Sequence, residues 1–321
     1  PPLNKMPAVS YVQPEKSPEL GYLIEYGTRP QWGWLDVEGD WAFNTEMPTF
    51  DSINNQNYYV EIINRGEGQL SYTIKANEDW IKLSSEKGTI QFDEKVFVSI
   101  DWETAPNEDT EGEIVISGAG KEHTVKVPIR NRHTKATGFV ENNGVVSIEA
   151  PHYDRAVDSG EIRWITVPNL GRTGSAVTIT PSNADRQTPG ENSPYLEYTF
   201  TIFDSADVKL DTYLSPTLNF KKNEGLKYAV AIDDEQPQIM NMHEGETQPD
   251  WEYPQWWNES VANHIKIKTT EHSGLTPGQH TLRIWMVDPG VVFQKFVIDA
   301  GGLESSYLGP PESVYIESVR K

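Results

Sequence analysis

Apolar and polar residues alternate with a period of two along most of this chain. In Gln279–Asp299, Thr281, Arg283, Trp285 and Val287 point one way, while Leu282, Ile284 and Met286 point the other. That is the pattern of a strand in a layered sheet. Asp288-Pro289-Gly290 interrupts it, because Pro sets the backbone and Gly permits positive φ. Val291 to Ile298 then resumes it. Two such runs joined by a short turn predict a buried hairpin that completes, near the C-terminus, a sheet begun well upstream.

Shorter runs of the same kind fill two regions. Tyr58–Ile63, Leu70–Ala76, Trp80–Leu83, Val96–Trp102, Gly112–Ser117 and His123–Ile129 are separated by turn residues such as Asn64-Arg65-Gly66-Glu67-Gly68. Strands at a spacing of roughly ten residues predict an immunoglobulin-like sandwich. Val145–Ala150, Arg163–Val167, Ser175–Thr180, Tyr195–Phe203, Val208–Leu214, Leu226–Ile232 and His264–Lys268 precede the final hairpin, with no amphipathic helix between them. They predict a jelly-roll sandwich. The expected class is all-β with two β-sandwich domains. The expected limits are an irregular packed extension over 1–50, the immunoglobulin-like sandwich over 51–131, a linker over 132–144, the jelly roll over 145–313 and a tail over 314–321.

Composition narrows the partners. The 321 residues carry a net charge of −21 and a pI near 4.7. Phosphate binding needs Lys and Arg, so no nucleic-acid partner is expected. The same charge gives no help in attracting an anionic polysaccharide. There is no cysteine, hence no disulfide and no thiolate metal site. No apolar run reaches transmembrane length, and no membrane partner is expected. The start, Pro1-Pro2-Leu3-Asn4, has neither an initiator Met nor a signal peptide, and reads as a piece of a longer protein. Ten Trp and 14 Tyr suit sandwich cores, and they also suit sugar binding, where rings stack on pyranose faces.

Most of the chemistry considered falls away. Gly171-Arg172-Thr173-Gly174-Ser175 lacks the ending of a phosphate loop and reads as a tight turn. Asp233-Asp234-Glu235 follows a strand and reads as a turn, since adjacent carboxylates on a strand diverge rather than flank a bond. No catalytic residue is assigned. Two candidates remain. Glu149 and Asp299 lie in the first and last strands of the second sandwich, strands that neighbour one another in many jelly rolls, and two carboxylates meeting there are a candidate structural calcium site. The aromatic loop Asp250–Asn258 holds Trp251, Tyr253, Trp256 and Trp257, candidates for a carbohydrate platform or a subunit contact. In an extended loop the adjacent Trp256 and Trp257 would not share a face.

Ile148-Glu149-Ala150-Pro151-His152-Tyr153, Leu170–Thr178, Tyr213–Phe220, Tyr228–Glu235, His280–Asp299 and Ser306–Ser313 resemble, in order, the C-terminal region of glycoside hydrolase family 115. Asn77–Leu83 and Val98–Trp102 are similar to an immunoglobulin-like insert that some members carry. The resemblance implies a parent xylan α-1,2-glucuronidase that removes glucuronic acid or its 4-O-methyl form from glucuronoxylan. It implies an upstream catalytic domain that this chain lacks, so this chain is not itself an enzyme. It further implies a secreted, periplasmic or cell-surface bacterial protein, a xylan-type partner and a homodimer. The last domain of that family is similar to carbohydrate-binding modules of the galactose-binding-like type, some of which open on a Glu-Ala-Glu strand that helps hold calcium. Here Pro151 replaces the second Glu, leaving Glu149. A rival reading is an independent carbohydrate-binding module for xylan or a related plant polysaccharide.

Overall fold

The computed structural model describes residues 15–26, 45–133, 135–190, 192–221, 224–246 and 253–317. The chain divides into two compact units, residues 1–133 and 134–321.

The first unit is built from β1 (Leu20–Ile24), β2 (Phe50–Asp51), β3 (Asn57–Asn64), β4 (Leu70–Ala76), β5 (Ile81–Leu83), β6 (Lys87–Ile90), β7 (Asp93–Ile100), β8 (Thr110–Gly118) and β9 (Lys121–Arg130). They form a four-stranded sheet β1-β3-β7-β5 and a five-stranded sheet β2-β9-β8-β4-β6. Val60, Ile62, Val96 and Val98 of the first pack with Ile74, Ile114, Ile116, Val125 and Val127 of the second in one core. These are the inward positions of the period-2 pattern, and each such side chain contributes about 1.5–3 kcal/mol of burial. The turn after β3 is organised by Asn64. Its Oδ1 accepts the Gly66 and Glu19 N–H groups, and its Nδ2 donates to the Gly68 and Gln91 carbonyls. β1 lies inside the stretch read as irregular extension. Its sequence LGYLI buries four of five residues, so it shows no alternation to read.

The second unit contains β10 (Gly138–Val140), β11 (Val145–Glu149), β12 (Arg155–Val157), β13 (Arg163–Val167), β14 (Ala176–Thr180), β15 (Tyr195–Ile202), β16 (Ala206–Leu214), β17 (Lys227–Ile232), β18 (Gln238–Asn241), α1 (Gln255–Asn263), β19 (Lys266–Leu275), β20 (Gly278–Met286), β21 (Phe293–Asp299) and β22 (Tyr315–Ile316). One sheet runs β18-β17-β20-β15-β10-β22, with β12 also on β15. The other runs β13-β14-β21-β16-β19, with β11 also on β21. Leu196, Tyr198, Leu282 and Ile284 of the first pack with Ile148, Leu210, Phe293 and Phe296 of the second. β10 lies in the stretch read as linker and β22 in the stretch read as tail. They pair with each other, and at two or three residues each they are too short for periodicity.

The predicted terminal hairpin does not form. β20 pairs with β15 and β17 in one sheet, whereas β21 pairs with β11, β14 and β16 in the other. Residues 287–292 therefore cross from one layer to the other. The buried Asp288 holds the crossing. Its carboxylate accepts from Arg186 Nε (2.8 Å) and Nη2 (3.1 Å), Lys221 Nζ (2.7 Å) and the Lys227 N–H (3.0 Å). Burial alone would raise its pKa, but these donors outweigh burial and hold the carboxyl below its ordinary range.

Both outer faces of this sandwich are partly covered by chain. Over one sheet, Trp285 Nε1 donates to the Gly190 carbonyl and Gln187 N–H to the Val287 carbonyl. Over the other, Ser147 Oγ and Lys295 Nζ both donate to the Pro310 carbonyl, and Ser313 N–H donates to the Ser147 carbonyl. β21 is consequently buried on both faces, which explains why its apolar run is nearly continuous.

Candidate functional site

The aromatic segment read as a loop carries α1. Pro254 precedes it in extended conformation, and His264 ends it in the left-handed region at φ 56°, donating its N–H to the Ser260 carbonyl. Gln255 Nε2 donates to Glu259 Oε1 at 2.7 Å, one turn on. The helix has no buried residue, so it lacks the apolar stripe by which helices are recognised.

Helical geometry, at about 100° per residue, separates the two tryptophans. Trp257 points outward and stacks on Tyr253, with ring centroids 4.6 Å apart and planes 23° apart. Those two side chains are 40% and 74% exposed. Trp256 points the other way and lines a cleft, where Lys266 Nζ lies 5.4 Å from its ring centroid. Trp251 lies outside the described residues, as do Trp32, Trp34 and Trp41.

The cleft has a volume of about 530 Å³, within the 300–1,000 Å³ or so usual for ligand sites. Its walls come from α1, from the start of β19, from residues 242–246 after β18, from Arg172 between β13 and β14, and from Ser305–Tyr307. Lys266 and Lys268 are two apart on β19 and so share a face. Lys266 Nζ pairs with Glu246, whose other oxygen meets the buried His243 Nδ1 at 2.8 Å. Burial holds the His243 pKa below the usual imidazole value although Glu246 favours the charged form. Lys268 Nζ donates to the Glu244 carbonyl at 3.0 Å, and burial lowers its pKa too. The Arg172 guanidinium lies 3.7 Å from the Tyr307 ring centroid. In the sequence Arg172 belongs to a turn, and Lys266, Lys268 and Tyr307 carry no motif. The turn itself forms, with Gly171 N–H donating to the Gly174 carbonyl. The only sequence signal for the rest was the Lys-x-Lys spacing on a strand.

The candidate calcium pair is not brought together. β11 and β21 are neighbours, but Glu149 sits opposite Lys295, and Asp299 sits opposite Val145. Four residues of strand, about 13 Å of backbone, separate the two positions along the pair. Asp299 accepts from the Gly301 and Leu303 N–H groups in its own turn. Glu149 Oε1 takes the Thr173 hydroxyl at 2.5 Å and the Lys295 ammonium at 3.1 Å. Lys295, buried on β21, already supplies the positive charge that a cation would bring. Among the described residues no three His, Asp or Glu side chains are grouped to hold a metal.

Asp233 and Glu235 serve as acceptors rather than as a paired acid and base. Asp233 Oδ2 meets His280 Nδ1 at 2.7 Å and Glu235 Oε2 meets His272 Nδ1 at 2.5 Å. The two imidazoles sit on β20 and β19, so the turn after β17 is tied to both sheets.

The fold is that of an all-β protein in which a sandwich with a cleft follows a smaller sandwich. The glycosyl hydrolase family 115 C-terminal domain model matches residues 138–312, more than half of the chain. The chain belongs to that family, and its second sandwich is a carbohydrate-related accessory domain. Several solved structures are similar over part of it. One is a family 115 4-O-methyl-α-glucuronidase described as specific for decorated arabinogalactans, at 18% identity over 46% of this chain and 17% of that one, TM-score 0.33. Another is the C-terminal family 6 carbohydrate-binding module of a laminarinase from Zobellia galactanivorans, at 10% identity over 48% of this chain and 98% of that one, TM-score 0.32. A third is a family 35 carbohydrate-binding module from Clostridium thermocellum, at 14% identity over 48% and 98%, TM-score 0.31. The match spans only 17% of the glucuronidase's length. No curated protein sequence matches the chain.

Proposed function

We propose that this chain is the non-catalytic C-terminal accessory region of a secreted, multidomain glycoside hydrolase that removes (4-O-methyl-)glucuronic acid from glucuronoxylan. It braces the upstream catalytic domain and shapes the approach of the polysaccharide. The observation that carries this reading is the family match over nearly all of the second sandwich. The test is a comparison of the whole enzyme with a version lacking this region. Uronate release from polymeric glucuronoxylan should fall more steeply than release from a short aldouronic acid, because only the polymer reaches beyond the catalytic site. Equal loss on both, with the shortened enzyme still folded, would count against a role in substrate approach.

A second reading, an independent carbohydrate-binding module, is favoured by the cleft lined by Trp256 and Tyr307. Affinity electrophoresis of this chain in glucuronoxylan, xylan and arabinogalactan separates the two. Retardation supports an independent module, and free migration in all three leaves the bracing role alone.

A further inference from the structure

The geometry points to a neutral sugar ring, rather than an acidic decoration, as the ligand of the cleft beside α1. The inference rests on the reading of this chain as a polysaccharide-contacting region, and it says which part of the polymer is read. The described lining carries three cations, Arg172, Lys266 and Lys268, and three carboxylates, Glu244, Glu246 and Glu259, so their charges sum to zero. The two ammonium groups are already engaged. Lys266 is paired with Glu246 and Lys268 is bonded to the Glu244 carbonyl. The Arg172 guanidinium lies over the Tyr307 ring, and its Nε is buried without a hydrogen-bond partner among the described residues.

An entering carboxylate would meet three glutamates in a chain of net charge −21, and no pair of uncommitted cations. A neutral pyranose meets the opposite situation. Each hydroxyl both donates and accepts, so it can donate to a glutamate and accept an N–H that the existing pairs leave over, without adding charge to a balanced lining. Its C–H faces can lie on the ring of Trp256, which α1 holds towards the cleft. The mixture of both charge signs with the partly exposed rings of Trp256 and Tyr307 thus suits a polyhydroxylated, uncharged ligand.

The test is titration calorimetry on the full 321-residue chain. The probes are a neutral xylo-oligosaccharide, a neutral galacto-oligosaccharide and an aldouronic acid. Trp256→Ala and Trp257→Ala are the variants, each compared with the parent only after circular dichroism shows that it is folded at the titration temperature. The expected result is binding of at least one neutral oligosaccharide. Its affinity should change little between about 0.01 M and about 1 M ionic strength, weaken about tenfold or more in Trp256→Ala, and stay unchanged in Trp257→Ala on the outer face. Binding confined to the aldouronic acid and weakened by salt would overturn the inference and leave the polysaccharide-contacting role standing. Absence of binding to all three probes would overturn both, leaving the bracing role to the deletion experiment. Loss of binding in Trp257→Ala alone would move the site to the opposite face of α1 and overturn the inference as well.

Discussion

The two sandwiches treat buried charge differently. In the first, the buried carboxylate among the described residues is Asp51, and it takes local partners. Gln56 Nε2, Asn54 Nδ2 and the Ile53 and Asn54 N–H groups all come from the next five residues. In the second, buried charges are tied across the chain. Asp288 takes Arg186, 102 residues away, and Glu149 takes Lys295 from the partner strand. The cause is coverage. The strands β4 and β7 of the first sandwich alternate buried and open positions, so their polar side chains face water. Chain segments lie over the outer faces of the second, so polar groups there lose water and need partners.

The comparison can be broken most forcefully in the core of the second sandwich. Phe296→Ala should cost about 3–5 kcal/mol and lower a transition that belongs to residues 134–321 only. Chemical denaturation followed by amide exchange would show it, and equal loss of protection in both units would refute separate cores. Next is the buried pair. Lys295→Met strands Glu149 and should cost about 3 kcal/mol, whereas Glu149→Gln combined with Lys295→Met should recover much of that loss. If the double variant is no better than the single, the pair is not the tie described. Asp288→Asn should cost about 2 kcal/mol by weakening the bonds from Arg186, Lys221 and Lys227. The Asp288 pKa is depressed in the folded state. Its contribution is therefore complete above about 3.9, the unfolded Asp value, and disappears as pH falls through the lower folded value. Stability of the parent should drop more steeply than that of Asp288→Asn in this acid range. The smallest effect belongs to the first sandwich. Glu19→Gln removes an exposed pair with Lys121 at 2.6 Å and should cost less than about 1 kcal/mol.

The alternation that identified β4, β8, β9 and β15 was legible because each of those strands keeps one face in a core and the other more open. β10 and β22 were not, being short, β1 was not, because it is buried nearly throughout, and α1 was not, because a helix that buries nothing carries no periodic apolar mark. Of the cleft, Trp256 was singled out from sequence. Arg172 and Tyr307 meet from positions 135 apart in number, and no local pattern records such a meeting.

What the sequence determined by itself was the all-β class, the division into two layered bodies, and the inward-facing residues of most strands, because side-chain direction along a strand is a local property of period two. Only the tertiary structure decided that β20 and β21 part company into opposite sheets, that Glu149 meets a lysine rather than Asp299, and that Trp256 turns inward while Trp257 turns out. Sheet membership and register are chosen by packing between residues far apart in the chain, and the energy of that choice is spread over both partners, so neither segment carries it alone.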